Sequence, residues 1–328
     1  MTPFDPARNP APRKLAIFAW AVVAWNVLII LWGALVRATG SGAGCGNHWP
    51  LCNGVVIPVN PRLDTIIEFT HRITTGLALP LVILLVVWTF RSTTRGALAR
   101  IMAPISLLLT LNEALLGALL VKLGYVGSNQ SVARAAFLSL HLTNTLLLVA
   151  ALTLTASSLG RDLERSKIAI DRKAAPLTVL ALLTTIAVGI TGSLAALGDT
   201  LFPSRDLALA LREDFSTSGS YLLQIRWVHP ACSIVAAIFI CWLVSKAWRG
   251  SQAHTARLVL TLLVAQLILG IGDVLLLAPV TLQILHLLLA NLFWISLVVF
   301  SSHHAICQTH TAASTGSATF PSPASSNA

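Results

Sequence analysis

The chain has 328 residues, of which 55% are hydrophobic and only 10% are charged, and its mean hydropathy is +0.79. Soluble domains typically carry about 25% charged residues, so this composition excludes a soluble globular protein and indicates a membrane protein. The net charge of +10 does not indicate nucleic-acid binding, because the basic residues are spread through loops instead of gathered in one patch.

Eight predominantly apolar segments are long enough to cross the hydrocarbon core and are predicted as transmembrane helices. They cover residues 15–36, 67–90, 102–121, 135–159, 176–197, 225–246, 258–278 and 281–301. The first segment is too long for the apolar part of a signal peptide, and Arg37 follows it where a cleavage site would need small residues. We therefore expect the first segment to be retained as a helix.

Lys and Arg are unequally divided between the alternate loops. The set that includes the N-terminal segment holds 14 of the 22 basic residues. The positive-inside rule therefore predicts a multi-pass protein of a bacterial-type inner membrane with both termini in the cytoplasm. Residues 303–328 are rich in Ser, Thr, Ala and Pro and are predicted to form a disordered cytoplasmic tail.

The sequence repeats itself at an interval of four helices. The motif SLHL around His141 in the fourth segment matches ILHL around His286 in the eighth, and IEFTH ending at His71 matches IRWVH ending at His229. A third match, EALLG against QLILG, relates the third and seventh segments. We predict an all-α polytopic membrane protein with two pseudo-symmetric four-helix bundles. Its parts are the N-terminus 1–14, the first bundle 15–159, a basic linker 160–175, the second bundle 176–302 and the tail 303–328.

The four repeated histidines are candidate haem ligands, because ionisable residues inside a membrane are costly and usually functional. Each stands near the outer end of its helix, and within each half the two histidines come from parallel, non-adjacent helices. That arrangement suits a flat macrocycle held between two imidazoles, with one haem for His71 and His141 and one for His229 and His286. The alternatives are histidines with purely structural hydrogen bonds and a zinc site, although zinc prefers four close ligands in one place.

Charged residues beside the histidines suggest further roles. Arg72 and Arg226 are candidates for binding haem propionates, or are interfacial residues whose side chains extend toward water. Glu68 precedes His71 by three residues, so both lie on one helix face, where a carboxylate could accept a proton or stabilise positive charge. In the match of IEFTH with IRWVH the corresponding residue of the second half is Arg226 and not a carboxylate, so the two haem sites are predicted to be chemically unequal.

Other membrane carboxylates and the cysteines have less specific interpretations. Glu113, with Asn112 as a polar neighbour, and Asp273 are expected to hydrogen-bond between helices, with functional roles as the alternative. Cys45 and Cys52 share the first outer loop, where an oxidising compartment favours a disulfide over two unpaired thiols.

The first outer loop carries a specific resemblance. The stretch GALVRATGSGAGCGNHWPLCNG at 33–54, followed by EFTHR at 68–72, resembles the heme A synthase family, and the similarity extends over roughly residues 15–302. This resemblance implies oxidation of the methyl group of heme O to the formyl group of heme A, for assembly of haem-copper oxidases. It implies that Glu68 is catalytic, that His71 and His141 bind heme O, and that His229 and His286 ligate a heme b cofactor. It also implies that Cys45 and Cys52 are the family's first-loop pair.

The chain departs from some family members, because its third outer loop, residues 198–224, contains no cysteine pair. Expected partners are heme O and membrane lipid, with heme O synthase, oxidase assembly factors and a second copy of the chain as further candidates, and no nucleic acid. The alternative functions are a di-haem electron carrier without substrate turnover and a transporter. Heme O synthase activity is not expected, because the chain has no Asp-rich diphosphate-binding motif.

Overall fold

A computed structural model describes residues 10–159, 167–170, 174–217 and 219–309. In chain order its elements are α1 (Pro10–Ala38), a 3-10 helix (Ser41–Ala43), α2 (Leu63–Ser92), α3 (Leu98–Lys122), α4 (Val132–Leu159), β1 (Lys167–Ile170), α5 (Ala175–Leu201), α6 (Leu207–Asp214), α7 (Tyr221–Gln224), α8 (Val228–Ser245), α9 (Ala253–Leu275), α10 (Val280–Ala305) and β2 (Ile306–Thr309). Eight helical spans in this part of the chain are long and apolar enough to cross a membrane, which confirms the predicted polytopic helical fold.

The sixth span, Tyr221–Ser245, begins earlier than the predicted start at residue 225, and it is divided into α7 and α8. The break covers residues 225–227, just before His229. Pro230 accounts for it, since a proline ring clashes with the carbonyl of the residue four positions earlier in a continuous helix. That carbonyl belongs to Arg226, which lies in the break.

The long helices pack as two groups of four. In the N-terminal half α1 and α3 each contact both α2 and α4, so α2 and α4 lie on a diagonal. In the C-terminal half α5 and α9 each contact both α8 and α10, which therefore lie on the corresponding diagonal. The halves meet where α4 packs against α5 and α10, and where α1 packs against α10.

The apolar core of each half is concentrated at the end of the bundle away from the histidines. In the N-terminal half the core joins the start of α1 to the end of α4, and in the C-terminal half it joins the start of α9 to the end of α10. Its fully buried side chains include Leu15, Leu85, Leu152, Leu243 and Phe300. Tight packing therefore fixes one end of each bundle, and the histidines lie toward the other.

A short antiparallel strand pair joins the linker between the two halves, which contains β1, to the segment after α10, which contains β2. β1 pairs with β2, with Lys167 opposite Thr309 and Ile170 opposite Ile306. The sequence predicted a linker and a disordered tail at these positions, so the structure differs there: α10 runs to Ala305 and β2 follows it directly. The remaining tail, 310–328, the remaining linker residues 160–166 and 171–173, and N-terminal residues 1–9 lie outside the described residues.

Candidate functional site: four histidines and the first loop

Each of the four histidines packs against a glycine of the preceding long helix. The relevant distance joins the ring atom Cε1 to the position that a Cβ on the glycine would occupy. It is 3.1 Å for Gly33 and His71, 3.9 Å for Gly117 and His141, 2.8 Å for Gly192 and His229, and 3.0 Å for Gly270 and His286. Three of these distances are too short for unstrained side-chain contact, so glycine makes room for the imidazole.

The histidines of the C-terminal half face each other across the bundle. The ring centroids of His229 and His286 are 6.4 Å apart, and the ring planes are nearly perpendicular at 86°. Two metal–nitrogen bonds of about 2 Å each, plus the two ring radii, give a similar separation for imidazoles that share one iron. His229 Nδ1 is 3.2 Å from the carbonyl oxygen of Val188, a contact that orients the ring and leaves Nε2 for another ligand.

In the N-terminal half the two histidines come from the diagonal helices α2 and α4. His71 Nδ1 and His141 Nδ1 are buried and have no hydrogen-bond partner among the described residues. The same is true of His286 Nδ1 in the other half. Buried polar atoms normally have partners, so His71 Nδ1 and His286 Nδ1 indicate a group that the polypeptide alone does not supply, whereas His141 Nδ1 lies 3.5 Å from Glu113 Oε1.

These observations fit haem ligation. The histidines offer imidazole nitrogens from diagonal helices, at the end of each bundle away from the densely packed core. Across the described ranges, no three His, Cys, Asp or Glu side chains approach closely enough to hold one metal ion, which gives no support to a tetrahedral zinc site.

Glu68 is buried between α2 and the first loop, which joins α1 to α2, with 3% of its surface exposed. Its Oε2 accepts a hydrogen bond of 2.8 Å from the backbone N–H of Cys45, and its Oε1 accepts from Arg72 Nε at 3.1 Å. The structure contains the expected disulfide between Cys45 and Cys52, and both cysteines are buried. Thr65 Oγ1 donates to the carbonyl of Gly44 at 2.8 Å, which fastens the same loop to the start of α2.

The two candidate propionate arginines are both held by protein groups. Arg72 donates to Glu68 and, through Nη1, to the carbonyl oxygens of His48 and Leu51 at 2.5 and 2.6 Å. Arg226 forms ion pairs with Asp199 at 2.9 Å and Asp214 at 2.7 Å. Their propionate-binding role stays a prediction, and in this structure they anchor the loops that adjoin their helices.

Glu113 has partners that the sequence did not identify. Its Oε2 accepts from Asn144 Nδ2 and its Oε1 accepts from Thr145 Oγ1, both on α4, while Oε1 lies 3.5 Å from His141 Nδ1. Asn112, the neighbour considered from the sequence, donates instead to Asn144 Oδ1 at 2.8 Å. The expected hydrogen bonding between helices is therefore present, and it reaches a candidate ligand.

Asp273 differs from Glu113, because its Oδ1 is buried without a hydrogen-bond partner among the described residues. The structure therefore shows no hydrogen bond from this oxygen to another helix.

Arg37 joins the two halves, a role that the sequence did not reveal. It lies at the end of α1, yet its Nη1 donates to Ala196 O at 2.5 Å and Thr200 Oγ1 at 2.7 Å, and its Nη2 donates to Gln283 Oε1 at 2.9 Å. All three acceptors belong to the C-terminal half. The only sequence signal was a positive charge at the end of an apolar segment, which does not specify a partner.

Comparison with known proteins finds relatives that match most of the chain. A family model described as cytochrome oxidase assembly protein matches residues 16–298. A protein named protoheme IX farnesyltransferase from Thermus thermophilus is 41% identical over 302 residues, which are 90% of this chain and 49% of that protein. The chain thus spans about half the length of this relative.

Proteins named heme A synthase match as well. The one from Lysinibacillus sphaericus is 27% identical over 293 residues, which are 86% of this chain and 92% of that protein. The one from Halalkalibacterium halodurans is 43% identical over 106 residues, covering 32% of this chain and 36% of that protein. The family expected from the first-loop motif is thereby confirmed: the chain belongs to the COX15-CtaA family of cytochrome oxidase assembly proteins.

Proposed function

We propose that the chain is a heme A synthase, which oxidises the methyl substituent of heme O to the formyl group of heme A. The observation that carries this proposal is the buried Glu68, which stands three residues before His71 and is held by the disulfide-closed first loop. The family match and the relatives named heme A synthase support the same activity.

In the proposed reaction the N-terminal half binds the substrate heme O through His71 and His141. Glu68 and Arg72 form an ion pair in this half, so a carboxylate with fixed orientation lies on the helix that carries His71. A carboxylate so placed accepts a proton released from the substrate methyl group, or stabilises positive charge that develops there. Arg226 occupies the equivalent position of the second half, and its positively charged side chain offers neither function.

The C-terminal half is proposed to hold a heme b cofactor between His229 and His286. Bound there, heme b supplies one-electron transfer between the substrate site and an acceptor outside the chain. Such a relay is needed because conversion of a methyl to a formyl group is an oxidation. His229 is oriented by Val188, and His286 contacts Gln266 Nε2 through its own Nε2 at 3.1 Å.

The proposed orientation places both termini in the cytoplasm and the histidines toward the outer face. Support comes from the loop distribution of Lys and Arg and from the disulfide in the first loop, since disulfides persist in oxidising compartments.

Farnesyl transfer is a second candidate function, because the Thermus relative is named for it. The chain offers no aspartate cluster for binding a diphosphate, since no two of its aspartates lie closer than seven positions in sequence. We infer that the farnesyltransferase function of that relative belongs to the half that this chain does not match. An enzyme of that type supplies heme O, and we propose it as a partner in the same membrane.

Haem analysis of the purified protein tests the proposal. Wild-type protein is expected to contain heme b together with heme O or heme A, separated by mass, with bis-histidine ligation in reduced-minus-oxidised spectra. Glu68→Ala should retain heme O and yield little heme A. Asp64→Asn is the matched control, because this partly exposed carboxylate lies one turn earlier on α2 and contacts Arg62.

Other results would redirect the assignment. Heme b alone, unchanged by Glu68→Ala, would favour a di-haem electron carrier. Protein without haem would contradict both functions and leave the histidines with structural or transport roles.

A further inference from the structure

The third helix of each half carries a polar residue that contacts the histidine of the fourth. Glu113 on α3 lies four residues before Gly117, and Gln266 on α9 lies four residues before Gly270. Glu113 Oε1 is 3.5 Å from His141 Nδ1, and Gln266 Nε2 is 3.1 Å from His286 Nε2. The internal repeat thus places a carboxylate in one half where the other half has a neutral amide.

The Glu113 carboxylate is fixed in place by α4. Asn144 and Thr145 lie three and four residues after His141, on the same helix face, and each donates to one carboxylate oxygen. Asn144 is itself held by a hydrogen bond to Leu109 O at 2.9 Å. Each carboxylate oxygen of Glu113 therefore has a partner on α4.

His141 Nδ1 faces this carboxylate and has no hydrogen-bond partner among the described residues. A ligating histidine commonly donates its second N–H to a carboxylate, which selects the tautomer, orients the ring and makes the metal-binding nitrogen more basic. His141 Nδ1 and Glu113 Oε1 are 3.5 Å apart, which is longer than a normal hydrogen bond. A small movement of the His141 ring would complete the bond. A neutral glutamine provides no such charge in the other half.

We propose that Glu113 is a positioning residue for His141, and that the Glu113 and Gln266 pair sets the two haem sites of the proposed synthase to different reduction potentials. The assignment rests on the proposed function, because it requires haem ligation by His141 and His286. A negative charge beside the ligand stabilises the oxidised iron, so the N-terminal site should have a lower midpoint potential than it would have with glutamine.

Reciprocal exchange of the two residues tests this assignment by optical redox titration of the purified, haem-loaded protein. The two haems are assigned from the signals lost in His71→Ala and His286→Ala proteins. Glu113→Gln should move the midpoint of the N-terminal haem to a more positive potential and alter its low-temperature electron paramagnetic resonance signal. Gln266→Glu should move the C-terminal haem to a more negative potential, and each exchange should leave the other haem unchanged.

Thr145→Val is the structural control, because it removes one hydrogen bond to the carboxylate but keeps the charge beside His141. It should lower the melting temperature and leave both midpoints in place. A Glu113→Gln protein with wild-type midpoints and only a lower melting temperature would overturn the assignment, since Glu113 would then serve helix packing alone. A wild-type protein without haem would instead overturn the proposed function, and this assignment with it.

Discussion

The backbone N–H of Cys45 donates a 2.8 Å hydrogen bond to the Glu68 carboxylate, so the disulfide loop and this carboxylate form one unit. Arg72 also connects Glu68 to this loop, because it donates hydrogen bonds to the Glu68 carboxylate and to two carbonyl groups of the loop. The geometry of Glu68 therefore depends on a loop that precedes it by more than a dozen residues. The disulfide therefore stabilises the position of Glu68 as well as the conformation of the loop.

Replacement of both Cys45 and Cys52 by serine should affect the position of the Glu68 carboxylate more than the packing of the helices. We expect a loss of stability of about 2 kcal/mol, because a disulfide restricts the unfolded chain. Heme A yield should fall more than total haem content, since the four histidines lie outside the loop. Thermal unfolding and haem analysis measure the two effects. Cys232→Ser is the control, because this cysteine is free. Equal losses of heme A and total haem in the double variant would contradict the prediction.

The glycines that face the histidines should differ in their tolerance of alanine. Gly192→Ala is expected to displace His229 and reduce haem content most, because the added methyl group would lie 2.8 Å from the ring. Gly117→Ala should be the mildest, because its distance to His141 is 3.9 Å. Overpacking of this kind costs about 1–3 kcal/mol.

Haem content and melting temperature of the alanine variants check this order. Gly272→Ala is the matched control on α9, since a Cβ there meets nothing within 4 Å. An order unrelated to the distances would show that the rings move freely away from the added methyl group.

Arg37→Gln should weaken the junction between the halves. The substitution removes hydrogen bonds from a charged group to Ala196, Thr200 and Gln283, each worth about 1.5–3 kcal/mol when the donor is charged. We expect a lower melting temperature and faster proteolysis of the folded protein. Arg62→Gln is the control, because the Arg62 side chain is 86% exposed. Equal stability of the two variants would argue that this contact does not hold the halves together.

Trp294→Phe tests a second contact between the halves. The Trp294 indole is buried and donates to the carbonyl of Leu146 at 2.9 Å, linking α10 to α4. Phenylalanine keeps most of the apolar surface but removes the indole hydrogen bond and leaves that carbonyl only its helical one, which should cost about 0.5–1.5 kcal/mol. Chemical unfolding in detergent measures the change. Trp242→Phe, at a side chain with 52% exposure, should have little effect.

The sequence alone predicted the eight helical spans, the first-loop motif and the repeated histidines. Apolar length determines whether a segment can cross a bilayer, and it is a property of each segment by itself. The repeat was visible because equivalent helices keep the same residue types, such as His71 and His229. These features are local in sequence, so no knowledge of packing was needed to find them.

The tertiary structure decided which polar side chains meet. Arg37 reaches Gln283, Glu113 reaches Asn144 and Thr145, and Arg226 pairs with two aspartates, although none of these partners follows from spacing. Membrane helices are apolar on nearly all sides, so their sequence periodicity does not reveal which face turns inward. Helix rotation and packing set those faces, and they alone bring a residue of one half against a carbonyl of the other.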